Sequence, residues 1–216
     1  MTEFNLTQTD GLLTTTKQVR KRLDFDRAVP RQLLLDCIEI ASRAPMGGNL
    51  ERNKWLVIDD PDLKAKVGEL YLSNAGPYLE ERAKESPEGR SQRVFDSAMY
   101  LAERMGEVPA MVIPIRLDRL PEGTSVEETA GYYGSVLPGA WSFQLAARSR
   151  GLGSCWTTLH LGHEAETAEL LGIPDTVTQV ALFPVAYYTG DTFRAAPRRS
   201  AEDITFFNTW GNTASA

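Results

Sequence analysis

Cysteine and histidine are scarce in this chain, and their scarcity removes whole classes of chemistry. Only Cys37 and Cys155 occur among 216 residues. Neither belongs to a Cys-x-x-Cys pair, so no zinc ribbon, dithiol redox motif or disulfide framework is indicated. Cys37 falls on the apolar face of an expected helix, beside Leu34, Ile38 and Ala41, and reads as a small buried hydrophobe, as does Cys155. His160 and His163 lack accompanying cysteines or paired carboxylates, so no metal site is expected. A Gly-x-Ser-x-Gly elbow and a P-loop are both missing. Gly151-Leu-Gly153 lacks the third glycine of the dinucleotide fingerprint and follows a helical pattern rather than a strand. With no nucleophile, base or metal motif, the expected chemistry is that of a bound cofactor, and no catalytic side chain is assigned.

Long apolar runs are missing too. No stretch approaches about 18 apolar residues, so no membrane span is expected. Residues 1–7 have no leader-like apolar segment, and the expected location is cytoplasmic. Acidic residues outnumber basic ones by 29 to 23, a net charge of −6. That balance argues against general nucleic-acid binding, although a local basic patch can still hold one anionic ligand.

What is present is a run of helical and extended segments without repeats. Helices are predicted over 12–20 and 31–44, the second opened after Pro30 and closed by Pro45. Lys54 to Asp59 reads as a strand, and Asp60-Pro61 starts a helix carrying Leu63, Val67 and Leu70. Residues 74–92, rich in Glu, Lys, Arg, Gly and Pro, read as a solvated excursion. A helix over 93–105 and a strand over 110–117 follow. Pro114 suggests an edge or a bulge there. Residues 119–127 read as a lid-length loop. The stretch 130–150 is the most apolar helix, with Pro138-Gly139 expected to kink or restart it. A short helix over 164–171 and a strand over 177–188 complete the order. Helices separate strands at nearly every step, which gives an α/β or α+β layering with only three or four clear strands.

Two features suggest a ligand. Lys17, Arg20, Lys21 and Arg22 put four cations into six residues of an acidic chain, and Arg198-Arg199 form a second basic pair. Arginine and lysine make charge-assisted hydrogen bonds to phosphate, so the first cluster is a candidate phosphate clamp, with a solvated helix face as the alternative. The second feature is the segment Ala44-Pro-Met-Gly-Gly-Asn49. Gly47 and Gly48 allow positive φ and a close approach of a flat ligand to the backbone, and Asn49 offers one polar edge.

These segments resemble the nitroreductase family of FMN-dependent NAD(P)H oxidoreductases. Thr14 to Asp24 is similar to that family's Arg-Arg-Ser-x-Arg-x-Phe. Ala44 to Asn49 is similar to the start of its Ala-Pro-Ser-Gly-Gly-Asn-x-Gln-Pro-Trp. Gly134 to Trp156 resembles its long central helix and Gly-Leu-Gly turn, and Leu170-Leu-Gly-Ile-Pro174 through Arg198-Arg199 resembles its ending. Met46 replaces a serine, Glu51 a glutamine, Arg52-Asn53 a Pro-Trp pair, and Ala186 a glycine. The resemblance implies an α+β fold with a central, mostly antiparallel sheet flanked by helices, in an intertwined homodimer. It implies one domain over 1–216, with 74–127 a partly mobile excursion and 200–216 a tail wrapped on the partner. FMN would be held by Lys17, Arg20, Lys21, Arg22, Pro45, Met46, Gly47, Gly48, Asn49, Arg52, Trp156, Thr157, Thr158, Leu159, Arg198 and Arg199. NAD(P)H would be the electron donor and a small electron-poor molecule (nitroaromatic, quinone or enone) the acceptor. Reductive dehalogenation, flavin breakdown and flavin binding without turnover are the alternatives. The residues themselves independently ask for a partner, because Ile204, Phe206, Phe207 and Trp210 would leave a large apolar patch unless docked.

Overall fold

The computed structural model describes residues 4–85 and 88–213. Residues 86, 87 and 214–216, which fall in the expected excursion and tail, lie outside the described residues, as do 1–3. The chain divides into two units, residues 17–191 and a smaller one formed by residues 1–16 with 192–216.

The larger unit is built on a six-stranded antiparallel sheet. Its strands are β1 (Leu23–Asp24), β2 (Asn53–Ile58), β3 (Ala110–Arg116), β4 (Leu152–Ser154), β5 (Thr178–Gln179) and β6 (Phe183–Tyr188). The order is β1-β6-β3-β2, with β4 also on β6 and β5 also on β3. The α+β expectation with a mostly antiparallel sheet is met. β3 is buried along its whole length, so Pro114 marks neither an edge nor a bulge. The β6 ladder on β3 stops at Val112, and the β5 ladder starts at Ile115. Pro114 sits in that gap, where a missing N–H breaks no ladder bond on that side, while its carbonyl accepts from Val180 N–H at 3.0 Å. Pro184 likewise precedes the β4 ladder, which begins at Val185.

Helices α2 (Arg31–Ala41) and α6 (Leu137–Ser149) cover the sheet. Leu34, Cys37 and Ala41 of α2 meet Ala140, Phe143 and Ala147 of α6 over Val112, Phe183 and Val185. Small residues set the distance, since a Cβ on Gly139 would stand 3.2 Å from the Ala41 carbonyl oxygen. Pro138 lies in the first turn of α6, after α5 (Val126–Gly134) has ended, so the helical stretch starts afresh there.

The expected excursion is largely regular structure. Helix α3 runs unbroken from Pro61 to Glu85, and α4 from Gly89 to Glu103. The buried stripe of α3 passes through Val67, Gly68, Tyr71, Ala75 and Leu79, and Pro77 is carried inside the helix. Gly68 packs against backbone, because a Cβ there would be 2.6 Å from Gly106 N. Lys64 of the same stripe is buried yet satisfied, its Nζ donating to the carbonyls of Val108 at 2.8 Å and Pro109 at 3.2 Å. Helix α7 (Glu164–Leu171) ends on Gly172 in the left-handed conformation, at φ 64°.

In the smaller unit, α1 (Leu6–Thr15) is capped by the Asn5 side chain accepting from Gln8 N–H. The expected helix over 12–20 therefore belongs to this earlier segment, and residues 16–20 are extended loop. Among its described residues, the C-terminal part carries a short 3-10 turn, Glu202–Ile204.

Candidate functional site

The basic cluster is not a helix face. It is a loop pinned to β4, with Val19 N–H donating to Ser154 carbonyl at 2.9 Å. The Gln18 side-chain oxygen accepts from Trp156 N–H. Gly153 makes that seat possible, since a Cβ there would stand 3.0 Å from Val19 Cβ and Cγ1. The four cations then part company. Arg22 Nε donates to the Thr189 carbonyl at 2.6 Å and so ties the β1 end of the sheet to β6. The Lys21 ammonium lies 5.9 Å from the centroid of the Tyr100 ring. Lys17 is exposed. Arg20 turns inward over Cys155 and lines a cavity of about 160 Å³ with Trp156, Thr157 and Leu159.

Four of the expected ligand-holding residues thus meet in one compartment. Its far wall comes from the α3–α4 pair, through Leu79, Phe95 and Leu101. Its polar edge holds Arg20 and a hydroxyl pair, Tyr71 Oη and Thr157 Oγ1, 2.9 Å apart. Burial pushes the Tyr71 phenol up to about 12 and raises the Cys155 thiol, so both stay protonated at neutral pH. Backbone donors of this stretch are partly taken up within the fold, because Thr157 N–H donates to the Leu182 carbonyl. Thr158 is exposed. Tyr71, Gln18 and Gly153 were not among the expected site residues. The signal for Tyr71 was its place four residues after Val67 on the stripe of α3.

The glycine turn lies elsewhere. Gly47–Asn49 form a short 3-10 turn with Gly48 at φ 62° and Asn49 at φ 54°. Positive φ at both positions explains why glycine and asparagine stand there. Gly47 N–H donates to Ser135 Oγ at 3.0 Å, and Asn53 Nδ2 donates to the Ser135 carbonyl at 2.7 Å. Pro45, Gly47, Gly48 and Asn49 are exposed, whereas Met46 lines a second cavity of about 470 Å³ with Ala41, Trp55 and Gly139. Arg20, Trp156, Thr157 and Leu159 line a different cavity. Arg52 is engaged by Asp118 at 3.0 Å, and Asp118 also binds Arg116 at 2.7 Å. Burial alone would raise the Asp118 carboxyl, but hydrogen bonds from Arg116 and Arg52 outweigh it and hold it below the usual carboxylate range.

Arg198 and Arg199 are exposed in the smaller unit, where Arg198 Nη1 donates to the Pro197 carbonyl at 3.2 Å. In the same unit the Phe206 and Trp210 rings stack edge-on, 4.8 Å between centroids, with Trp210 92% exposed.

His160 is fully buried, neither ring nitrogen has a hydrogen-bond partner among the described residues, and burial pushes it down to about 4. His163 meets Ser73 Oγ at 2.9 Å and Glu166 at 3.1 Å. Among the described residues, no group of His, Cys, Asp and Glu is arranged to hold a metal ion, and no helix is long and apolar enough to cross a membrane.

This architecture is an α+β fold, an antiparallel sheet flanked by helices. Residues 15–187 match the Nitroreductase family, and the chain belongs to it. The fold is also that of an iodotyrosine deiodinase solved with FMN and 3-iodo-L-tyrosine (TM-score 0.71, 21% identity, 93% of this chain and 99% of that one). It is shared by a BluB-like flavoprotein from Clostridium difficile 630 (TM-score 0.66, 19% identity, 96% and 100%). An FMN and NADPH-dependent nitroreductase from Sphigopyxis sp. strain HMH has it as well (TM-score 0.67, 17% identity, 93% and 99%). No curated protein matches the chain in sequence.

Proposed function

We propose that the protein is an FMN-dependent oxidoreductase that takes a hydride from NAD(P)H and passes it to a small electron-poor acceptor. The observation that carries this reading is the compartment in which Arg20, Trp156, Thr157 and Leu159 converge. Its residues fit the flavin. Arg20, with Lys17 and Lys21 on the same loop, supplies cations for a terminal phosphate. Trp156 and the α3–α4 wall offer an apolar seat for a flat ring. The Tyr71–Thr157 pair offers a polar contact for the ring edge. Bound FMN supplies the hydride acceptance and donation that no side chain here provides.

The compartment is too small to enclose the cofactor alone. Its volume of about 160 Å³ is well below the roughly 300–1,000 Å³ of sites that enclose a drug-sized ligand. Among the remaining expected residues, Pro45, Gly47, Gly48 and Asn49 are exposed on a separate turn. We therefore read the site as two half-sites joined across a homodimer, each FMN lying between the Arg20 compartment of one subunit and the Gly48 turn of the other. The exposed Ile204, Phe206, Phe207 and Trp210 provide apolar surface for wrapping the partner, and Arg198 and Arg199 would then serve as further phosphate contacts.

The test is the visible spectrum of the purified protein, taken anaerobically before and after NAD(P)H. A yellow protein bleached by NAD(P)H, and recoloured by a quinone, nitroaromatic or aryl iodide, supports the reading. A colourless protein that gains no flavin from added FMN overturns it. A yellow protein that NAD(P)H leaves unbleached leaves a binding module without turnover.

A further inference from the structure

The hydroxyl pair at the edge of the Arg20 compartment holds more hydrogens than its own contact uses. Tyr71 Oη and Thr157 Oγ1 lie 2.9 Å apart, and each oxygen carries one hydrogen. A single hydrogen bond joins them, so one of the two hydrogens points elsewhere. The Leu159 N–H already approaches Thr157 Oγ1 at 3.4 Å as a donor. That leaves the threonine oxygen suited to accept from Tyr71 as well and to donate its own hydrogen outward. Both residues line the compartment, where Arg20 is also a donor and the rest of the wall is largely apolar. A half-buried hydroxyl hydrogen facing such surroundings is best met by an acceptor on the ligand.

We infer that Tyr71 is a positioning residue: by donating to Thr157 Oγ1 it turns the threonine O–H toward the bound ligand, which meets it with a lone-pair-bearing nitrogen or oxygen. The inference rests on the flavin reading above. The acceptor atom belongs either to the flavin ring edge or to the oxidising substrate, and the chemistry demanded is the same. Tyr71 suits the role because it is held rigidly. It is 4% exposed on the buried stripe of α3, and its burial-raised phenol remains a donor throughout the working pH range.

The experiment is a double-mutant cycle on the FMN-loaded protein, using Tyr71→Phe, Thr157→Val and the double variant. Two readouts separate the sources of the acceptor atom. The midpoint potential of the bound flavin, measured without substrate, reports a contact to the ring. KM for 1,4-benzoquinone at unchanged potential reports a contact to the substrate. We expect the two single variants to move one of these readouts equally, with a change of about three- to tenfold where it falls on KM, and the double variant to move it no further. Thr157→Ser, which keeps the hydroxyl, stands closer to wild type than Thr157→Val. Tyr71→Phe with wild-type potential and KM, beside a shifted Thr157→Val, overturns the inference, and so do effects that add in the double variant. If Tyr71→Phe does not fold, the serine–valine contrast carries the test, and equal behaviour of the two overturns it. Failure of the flavin reading itself looks different: wild-type protein then does not quench FMN fluorescence.

Discussion

The two places where the expected flavin residues gather are built in opposite ways. The Arg20 compartment is assembled by long-range packing: a loop fixed on β4, a hydroxyl pair from α3 and the 157 position, and a wall from two helices. The Gly48 turn is local. Its geometry is set by three consecutive residues and one hydrogen bond to Ser135, and most of it faces outward. The turn holds Gly48 and Asn49 at positive φ on the surface. Under the proposed function it is the half-site that meets the cofactor of a partner subunit, and the compartment is the complementary half. The comparison then separates residues that would seat a ligand in their own chain from residues that would present themselves to another.

The sharpest way to break this comparison is to remove the charge from the compartment. Arg20→Ala should weaken FMN binding by about 1.5–3 kcal/mol, roughly tenfold to hundredfold, measured by fluorescence quenching. An unchanged affinity would make the compartment mere packing.

The next effect is set by pH and concerns buried His160, the chain neighbour of Leu159. His160 titrates near 4 in the fold and near 6.5 when unfolded. Stability is therefore full above the unfolded value and is lost as pH falls toward the folded one, because only the unfolded chain takes up the proton. Between pH 7.5 and 5 the loss should be about 2 kcal/mol, and His160→Leu should remove that component from the urea-unfolding curves. Identical pH dependence in both proteins would contradict it.

On the turn, Gly48→Val forces a β-branched residue to φ 62°, at a strain of about 1–2 kcal/mol. The fold should survive, by circular dichroism, while flavin content per folded protein falls. A normal flavin content would mean the turn is only a connector.

The smallest effect belongs to Arg52. Its guanidinium is half-exposed and bound to Asp118, which keeps Arg116 when Arg52 is removed. Arg52→Ala should change stability by at most about 1 kcal/mol and leave FMN affinity within twofold or so. A tenfold loss would show that Arg52 leaves Asp118 for the cofactor.

Local chemistry was legible in the sequence, and packing was not. The Gly47–Asn49 turn, the start after Pro30 and the restart at Pro138 all follow from backbone rules that hold wherever the residue sits, whereas the helix expected to run to Ala44 stops at Ala41, short of Pro45. Helix α3 was lost beyond Leu70 because its buried stripe there includes Ala75 and Gly76, which carry little hydrophobic signal, between charged neighbours. Strands β1 and β4 are two and three residues long, too short for an alternating pattern to register, and the single strand expected over 177–188 is divided into β5 and β6. Pro114 misled because a central strand can tolerate proline where its neighbours change, a fact of register that no single segment records. In the site, cations and glycines could be named in advance, but not which cation faces inward. That choice is made by Gly153 and the seat it gives to Val19. Tyr71 contacts Thr157, 86 positions away in the chain, which no local pattern encodes.

The claim that two half-sites join across two subunits is tested most directly by complementation. Arg20→Ala and Gly48→Val proteins, each deficient in flavin, are unfolded together, refolded and titrated with FMN. In a mixed dimer one site combines both lesions and the other has neither. The account predicts that flavin binding at wild-type affinity returns in the mixture, at one site per mixed dimer, although neither variant shows it alone. A mixture that binds no more tightly than its two components would place both residues in one chain's site and contradict the account.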